Sequence, residues 1–309
     1  MRRVELVRYT TPSALLNAAA DYLAAREAEH NLLLGILGTL RDRPEVGPEP
    51  PFLAAVTEQS VVLVAVRTPP SSLVLSELGV SHERVADALT PLLDELLREG
   101  RELPGVLGPP LLAGWFAAAW SAATGSTTRL AMAERIYRVA ELRAARPVPG
   151  RWRRATDGDR QLLQAWVLAF QAEALPASAR VSNIEAMLDR WIQGAGRTAY
   201  LWEVDGQAVS LVVAGSPTPH GIRIGPVYTP PVARRRGYAS ALTAAVSQEQ
   251  IDRGCRYCFL FTDLANPTSN QIYQSIGYEP VTDVAQYSFA RAPDSGSGGA
   301  ERPQRAAFG

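Results

Sequence analysis

The feature that most constrains the fold is the stretch 224–245, which reads IGPVYTPPVARRRGYASALTAA. Its pattern predicts a strand over 224–229, a Pro-Pro corner, an arginine-glycine loop and a helix with apolar residues spaced three and four apart. The unpaired backbone N–H groups and the positive dipole end of such a helix converge on the loop that precedes it. The stretch therefore predicts an anion site, and we expect a diphosphate as its ligand.

Length and charge limit the class of protein. The chain has 309 residues with 47% apolar content, which suggests two domains with ordinary cores. It has 31 basic and 31 acidic residues, so its net charge is zero, and this argues against a nucleic-acid partner. The sequence contains no lysine, so all 31 of its basic residues are arginine. A phosphate-loop lysine and Schiff-base chemistry are therefore excluded.

No stretch of the sequence has the pattern of a membrane or export segment. Asp21 and Arg26 interrupt the alanine-rich run near the N-terminus, so no signal-peptide core forms. The apolar run 31–40 is too short to cross a bilayer. We expect a soluble, cytoplasmic protein without a membrane partner.

The cysteines and histidines do not predict a metal site. Cys255 and Cys258 form a CxxC spacing without a second pair or a nearby histidine, and buried inert thiols are expected. His30, His82 and His220 have no partners at the spacing of a triad or metal centre. We expect them to be satisfied surface or loop residues.

The two halves of the sequence repeat one order of elements: strand, two helices, three strands, helix, strand, helix, strand. This repeat favours tandem copies of one α/β fold. A Pro-containing linker at 145–150 divides them into domains at 1–145 and 146–291, and the Gly/Ser-rich segment 292–309 is expected to be a disordered tail. Where the second copy has its arginine loop, the first has SELGVSHE at 76–83, whose acids would repel a diphosphate. We interpret the first copy as degenerate.

Two motifs in the second half carry a family resemblance. Residues 234–239, RRRGYA, match the pattern Arg/Gln-x-x-Gly-x-Gly/Ala, and residues 266–278, NPTSNQIYQSIGY, follow the next predicted strand. With both motifs in this order, the sequence resembles the GNAT superfamily of acyl-CoA-dependent N-acetyltransferases over about 151–289, and by element order alone over 1–145. The resemblance implies an α/β (α+β) fold of two tandem GNAT-like domains. Each would be a mixed, mostly antiparallel sheet flanked by helices, with a V-shaped opening between its fourth and fifth strands.

The resemblance also implies a set of residues that bind acetyl-CoA, the expected cosubstrate. The loop would hold the diphosphate through backbone N–H groups and arginine side chains, for which the residues are Arg234, Arg235, Arg236, Gly237, Tyr238 and Ala239. The preceding strand, with a bulge near Pro226, would bind the pantetheine arm and donate an N–H to the thioester oxygen through Val227, Tyr228 and Thr229. The second motif would contact the pantetheine through Asn266, Ser269 and Asn270, although Asn266 could equally serve turn chemistry before Pro267.

Acetyl transfer to an amine needs a proton for the leaving thiolate and a base for the amine. The resemblance assigns the acid to Tyr273, because a phenol of pKa about 10 can protonate a thiolate of pKa about 8.5; a tyrosine packed on the sheet is the alternative. Glu173 is the candidate base, beside a possible substrate lip at Ala174, Leu175 and Pro176. A solvated helix-end carboxylate would explain Glu173 equally well, and the resemblance also allows a water chain to act as the base instead.

The function expected is therefore direct transfer of an acetyl group from acetyl-CoA to a small-molecule or peptide amine. The alternative is a regulatory or scaffold module that binds acyl-CoA without catalysis. A homodimer is left open, and the cluster Trp115, Phe116 and Trp120 could be a partner surface, although aromatic residues at this helical spacing are more often core.

Overall fold

A computed structural model describes residues 4–43, 49–175, 181 and 183–291. Within these residues a single 12-stranded mixed sheet forms the centre of the molecule, in the order β1-β2-β3-β4-β5-β12-β6-β11-β10-β9-β8-β7. The strands are β1 Glu5–Arg8, β2 Phe52–Thr57, β3 Val61–Arg67, β4 Leu73–Leu75, β5 Gly105–Gly108, β6 Thr127–Val139, β7 Arg151–Arg154, β8 Arg197–Val204, β9 Gln207–Gly215, β10 Gly221–Tyr228, β11 Tyr257–Asp263 and β12 Glu279–Ala290. The expected tail at 292–309 and Pro176 of the expected lip lie outside the described residues.

Helices cover both faces of this sheet. They are α1 Pro12–Ala24, α2 Asn31–Asp42, α3 Val85–Arg98, α4 Pro110–Thr124, α5 Arg160–Ala174, α6 Ile184–Gln193, α7 Tyr238–Asp252 and α8 Pro267–Ser275. Each half has one apolar core on either face: α3 and α4 pack on the opposite face from α1 and α2, and α7 and α8 on the opposite face from α5 and α6. The expected α/β architecture, with a mostly antiparallel sheet flanked by helices, is confirmed.

The two halves exchange their last strands. β12, from the C-terminal half, pairs with β5 at Tyr287↔Val106, while β6, from the N-terminal half, pairs with β11 at Cys258↔Val139. β6 and β12 also pair with each other in the middle of the sheet. Each exchanged strand contributes to the core of the other half: Tyr137 packs with α7 and α8. The boundary at residue 145 stays a prediction, and the sheet is continuous across it.

Most element boundaries agree with the local sequence signals. The Asp205-Gly206 turn joins β8 and β9 with φ angles of 49° and 76°, as a two-residue hairpin requires. Thr156 and Asp159 form a capping box before α5, as their three-residue spacing indicates. α6 begins at Ile184, because the Asn183 side chain accepts a hydrogen bond from Ala186 N and caps the helix there.

A V-shaped opening lies between β10 and β11, the fourth and fifth strands of the second half. Their parallel pairing runs only from Gly221↔Tyr257 to Arg223↔Phe259, although both strands continue further. On its other side β10 stays paired with β9, with a register shift between Ile224 and Val227 that matches the expected bulge. The opening therefore forms at the strand that precedes the arginine loop.

A buried carboxylate joins the two halves. Glu27, in the turn between α1 and α2, accepts hydrogen bonds from Thr218 Oγ1 (2.5 Å) and from the backbone N–H of His220 (2.8 Å). Its second oxygen lies 2.7 Å from Nδ1 of His220. The loop between β9 and β10 is thereby fixed to the N-terminal half. His220 is a paired loop histidine as expected, whereas His30 is buried rather than on the surface, because it fills the core beside Tyr22.

Among the described residues, no helix is long and apolar enough to cross a membrane. A cytoplasmic location and the lack of nucleic-acid and membrane partners stay predictions of the sequence. The aromatic cluster on α4 is mostly core, since Phe116 and Trp120 are buried and Trp115 is partly buried against them.

Candidate functional site

The β10 edge is open where the two strands separate. Val227 and Tyr228 pair with Val212 and Leu211 of β9, but beyond Arg223 no residue of β10 is paired with β11 within the described chain. The backbone groups on that edge are therefore available to an extended ligand, in the manner of an added β-strand. Thr229 follows directly, with its Oγ1 2.9 Å from Ser210 Oγ.

The arginine loop presents a row of unpaired backbone N–H groups. Arg235 and Gly237 have φ angles of 63° and 86°, so the chain turns sharply before α7. The first backbone hydrogen bond of the helix start is donated by Ala241 N to Gly237 O at 3.0 Å. The N–H groups of residues 236–240 donate to no described residue. This arrangement, at the positive end of a 15-residue helix, is suited to a diphosphate.

The three loop arginines have different surroundings. Arg234 donates from Nε to Thr229 O (2.8 Å) and pairs through Nη2 with Glu173 Oε2 (2.5 Å). Arg235 and Arg236 are exposed and form no ion pair with any residue that the structure describes. Arg235 and Arg236 are thus free to meet an anion, while Arg234 joins the end of β10 to the end of α5.

Tyr273 lies on α8, in the core that also contains α7. Only 7% of its surface is exposed, and its ring meets that of Tyr278 edge to face at 6.1 Å. Burial raises the pKa of Tyr273 to about 12. Its hydroxyl forms no hydrogen bond with a described residue, whereas that of Tyr278 is 2.7 Å from Ser247 Oγ. Of the two phenols, Tyr273 is the one that keeps a proton free for a ligand.

The polar residues of the second motif are engaged within the protein. Asn266 caps α8, because its Oδ1 accepts a hydrogen bond from Ser269 N at 3.0 Å. Its side chain therefore serves the turn before the helix, which was the alternative role. Asn270 donates to the carbonyl oxygens of Asp263 and Asn266 and accepts from Tyr137 Oη at 2.8 Å. These contacts fix the start of α8 beside the opening. Contacts of Asn266, Ser269 and Asn270 with pantetheine stay predictions.

Glu173 ends α5 on the surface, with 45% of its side chain exposed. The ion pair with Arg234 holds its carboxylate beside the loop. Tyr228 lies close to the same pair, with the Arg234 guanidinium carbon 5.9 Å from its ring centroid. Burial, reinforced by the Glu173 charge, raises the pKa of Tyr228.

A second carboxylate near the opening was missed by sequence reasoning. Glu134 lies on β6, directly opposite Asp263 at the end of β11. Burial raises the pKa of Glu134 to about 7; the Asp263 charge adds to the rise and Arg223 of β10 opposes it. Glu134 belongs to the N-terminal half, and only the strand exchange brings it here. No local signal in the sequence indicates that contact.

The corresponding loop of the first half is closed. Gly79 N donates to Val62 O (2.8 Å), so the chain after β4 folds back onto β3. The Tyr22 hydroxyl hydrogen-bonds Ser76 and the carbonyl of Glu77, and Glu77 N donates to His30 Nε2. Backbone groups that are unpaired in the arginine loop of the second half are thus partly hydrogen-bonded in the corresponding loop of the first. The interpretation of the first copy as degenerate stays a prediction.

The cysteines do not form a reactive pair. Cys258 is buried and burial raises its pKa to about 12, while Cys255 is partly exposed. Within the described ranges, no group of three or more His, Cys, Asp or Glu side chains could hold a metal ion.

Comparison with known proteins agrees with this geometry. The model of the acetyltransferase (GNAT) family matches residues 161–278. No curated protein sequence matches the chain.

Solved structures extend the likeness to nearly the whole chain. A GCN5-related N-acetyltransferase from Sphaerobacter thermophilus has a TM-score of 0.59 at 14% identity, covering 92% of this chain and 95% of its own. A tandem GNAT protein from the clavulanic acid biosynthesis pathway has a TM-score of 0.54 at 15% identity, covering 95% of this chain and all of its own (100%). A GCN5-related N-acetyltransferase from Kribbella flavida has a TM-score of 0.51 at 17% identity, covering 74% and 86%.

At these identities the solved structures establish the fold, and the family model establishes the domain. The fold predicted from the sequence, two GNAT-like domains in tandem, is confirmed. The chain thus has the fold of a tandem GNAT protein, and its residues 161–278 match the model of the acetyltransferase (GNAT) family.

Proposed function

We propose that the protein transfers an acetyl group from acetyl-CoA to an amine at the opening between β10 and β11. The observation that carries the proposal is the row of unpaired N–H groups at 236–240, directly after a strand whose edge is open. Neighbouring parts of this opening suit successive parts of the acetyl-CoA molecule. The loop and the Arg235 and Arg236 side chains would hold the diphosphate, and β10 would align the pantetheine arm.

The reaction proceeds by direct attack. The amine lone pair forms a bond to the acetyl carbon, and the carbonyl oxygen takes up negative charge, which a backbone N–H of residues 227–229 stabilises. The tetrahedral centre then collapses and breaks the C–S bond. The thiolate receives a proton from the Tyr273 hydroxyl, and the amine nitrogen loses a proton to a base.

Tyr273 suits the acid role because burial keeps it protonated. With its pKa raised to about 12, the phenol holds its proton through the neutral pH range. The same burial weakens it as an acid toward free solvent. Burial in the same cleft would also raise the pKa of the thiol that forms, as it does for Cys258, so the proton can pass from the phenol to the thiolate between groups of similar pKa.

Two carboxylates are candidates for the base. Glu173 is exposed and ion-paired with Arg234, which lowers the availability of its oxygens to an amine. The Glu134 carboxylate forms no hydrogen bond with a described residue, and its pKa, raised to about 7, suits a base at neutral pH.

A catalytic assay separates this proposal from a module that only binds acyl-CoA. The purified chain is mixed with acetyl-CoA and a panel of amines, and free thiol and N-acetylated product are measured. We expect amine-dependent thiol release with an equal amount of acetylated amine. Acetyl-CoA binding without product across carboxylate-bearing, phosphate-bearing, polyamine and peptide amines would favour the binding module.

A further inference from the structure

We propose that the acceptor is an amine that also carries a carboxylate, with its nitrogen placed at Glu134 and its carboxylate at Arg197 and Arg223. The inference rests on the proposed acetyl transfer and names its substrate class.

The strand register places Glu134 at the level of the reacting carbonyl. Arg223 is paired with Gly215 and Phe259, and Tyr228 is paired with Leu211, four residues from Gly215. With the bulge counted, Tyr228 is therefore level with Asp263 of the parallel strand β11. Asp263 in turn is paired with Glu134. Directly paired residues project from the same face of a sheet, so Glu134 and Asp263 lie together there. An amine that approaches the acetyl group from this face meets the Glu134 carboxylate.

Two arginines occupy the same face further down the sheet. Arg197 and Arg223 are both paired with Gly215, so the three residues form a row across β8, β9 and β10. A Cβ at Gly215 would collide with Cγ of Arg197, which shows that the Arg197 side chain lies over the glycine. Gly215 thus leaves room for a guanidinium beside Arg223.

Neither cation forms an ion pair with a described residue. Arg197 donates from Nε to Ser216 Oγ at 3.2 Å, while the Arg223 guanidinium makes no hydrogen bond to a described residue and interacts with the Glu134 charge only at longer range. Arg190 of α6 is close to Arg197, and its Nε is enclosed without a partner. Burial lowers the pKa of Arg197 to about 9 and that of Arg223 to about 10. Both remain charged at neutral pH, and partly buried cations without an anion are costly.

A carboxylate ligand would satisfy this cluster. Guanidinium groups bind carboxylates with two parallel hydrogen bonds, which gives both affinity and orientation. Four residues of β-strand span about 13 Å, and the Arg223 and Glu134 side chains bridge part of that distance from either end. The remaining gap suits a short amino carboxylate better than a polyamine or a large amino sugar.

The charges around Glu134 set how it would act as a base. It faces Asp263 from β11 and Arg223 from β10, and its neighbours Ile136 and Val284 line a small cavity whose far side carries Glu29 and Glu77. Its carboxylate accepts a proton from the substrate ammonium, which leaves the neutral amine that attacks the acetyl carbon. Activity should therefore rise with pH as Glu134 loses its own proton.

The test compares amines matched in length, with and without a carboxylate. Alanine against ethylamine, and 4-aminobutyrate against butylamine, are assayed with acetyl-CoA, and O-phosphoethanolamine is included as a phosphate-bearing arm. We expect the carboxylate-bearing member to have a higher kcat/KM by roughly 10- to 100-fold, the range for a charged bidentate contact. Equal or better transfer to the carboxylate-free amines, or a preference for the phosphate, would overturn the inference.

Variants test which side chains cause the preference for carboxylate-bearing amines. Arg223→Met should abolish the carboxylate preference, Arg223→Lys should restore part of it, and the exposed Arg129→Met serves as the control. Glu134→Gln should lower kcat and remove the limb of the pH profile near neutrality, while leaving KM for acetyl-CoA unchanged. A preference that survives in Arg223→Met, or an unchanged pH profile in Glu134→Gln, would contradict the assignment.

Binding gives a readout that does not depend on turnover. Amino carboxylates should raise the melting temperature of the wild-type chain more than the matched amines do, and Arg197→Met should lose that difference. If acetyl-CoA is bound but no amine is acetylated, while carboxylate-dependent stabilisation persists, the transferase proposal fails and the anion site stands. If transfer occurs without any carboxylate effect, the anion site fails and the transferase proposal stands.

Discussion

Arg234 and Glu173 form an ion pair of 2.5 Å that joins the arginine loop to the end of α5. Because Arg234 also donates to Thr229 O, one side chain connects the end of the open strand, the loop and the helix. In the proposed function, Arg235 and Arg236 are therefore the loop arginines that would contact acetyl-CoA.

Arg236→Met should weaken acetyl-CoA binding. Loss of a charged contact to the diphosphate is expected to reduce affinity roughly 10-fold, and the reduction should shrink as salt is raised. Titration calorimetry at two ionic strengths measures both effects. Arg129→Met, an exposed arginine far along the sheet, is the control. Equal affinity for wild type and Arg236→Met would remove Arg236 from the diphosphate site.

Tyr273→Phe should lower turnover while leaving acetyl-CoA binding nearly intact. Loss of the general acid is expected to reduce kcat by a factor of about 10 to 10³. Tyr278→Phe is the matched control, because it removes the neighbouring hydroxyl and its bond to Ser247, at a cost of about 1 kcal/mol of stability without a direct effect on the chemistry. Steady-state rates and thermal unfolding separate the two variants. Similar rate losses in both would show that Tyr273 acts through packing.

Gly237→Ala should disrupt the loop. Gly237 has a φ angle of 86°, and an added Cβ would lie 3.0 Å from Cγ1 of Val148 in the segment before β7. We expect a loss of acetyl-CoA affinity of roughly 10-fold or more, since two or more N–H contacts to the diphosphate would shift. Gly254→Ala is the control: its φ angle is also positive, at 101°, but nothing lies within 4 Å. It should lose stability and keep its affinity.

Glu27→Gln should loosen the contact between the two halves. Glu27 accepts hydrogen bonds from the Thr218 hydroxyl and His220 N and contacts His220 Nδ1, so the neutral amide cannot replace all three interactions. The free energy of unfolding should fall by about 1–3 kcal/mol, as for other buried, charge-assisted bonds. Denaturant unfolding measures this, with the exposed Glu5→Gln as control. A loss of unfolding free energy no larger than that of Glu5→Gln would show that other contacts hold the loop.

Local sequence signals were sufficient for the elements but not for how the halves join. The Asp205-Gly206 turn, the Thr156 capping box and the glycine at the start of α7 act within a few residues, so their patterns specify the structure directly. The exchange of β6 and β12 depends on pairings such as Tyr287↔Val106, which are far apart in the chain. No short-range pattern encodes such a pairing.

The candidate site, too, was only partly predictable from local sequence signals. The loop at 234–239 and the position of Tyr273 followed from motifs. Glu134 could not be found, because it reaches the opening only through the exchanged strand, and the cation row depends on the register of three strands at Gly215. The Arg234–Glu173 pair also links residues 61 apart in sequence, so the sequence predicted separate roles for two side chains that act together.

The central claim is that one half of the molecule binds acetyl-CoA and the other does not. Titration calorimetry of the full chain with acetyl-CoA tests it most directly, with Gly237→Ala measured in parallel. We predict one binding site per chain, weakened strongly in Gly237→Ala. Two sites per chain, no binding, or one site that keeps its affinity in Gly237→Ala would contradict the claim.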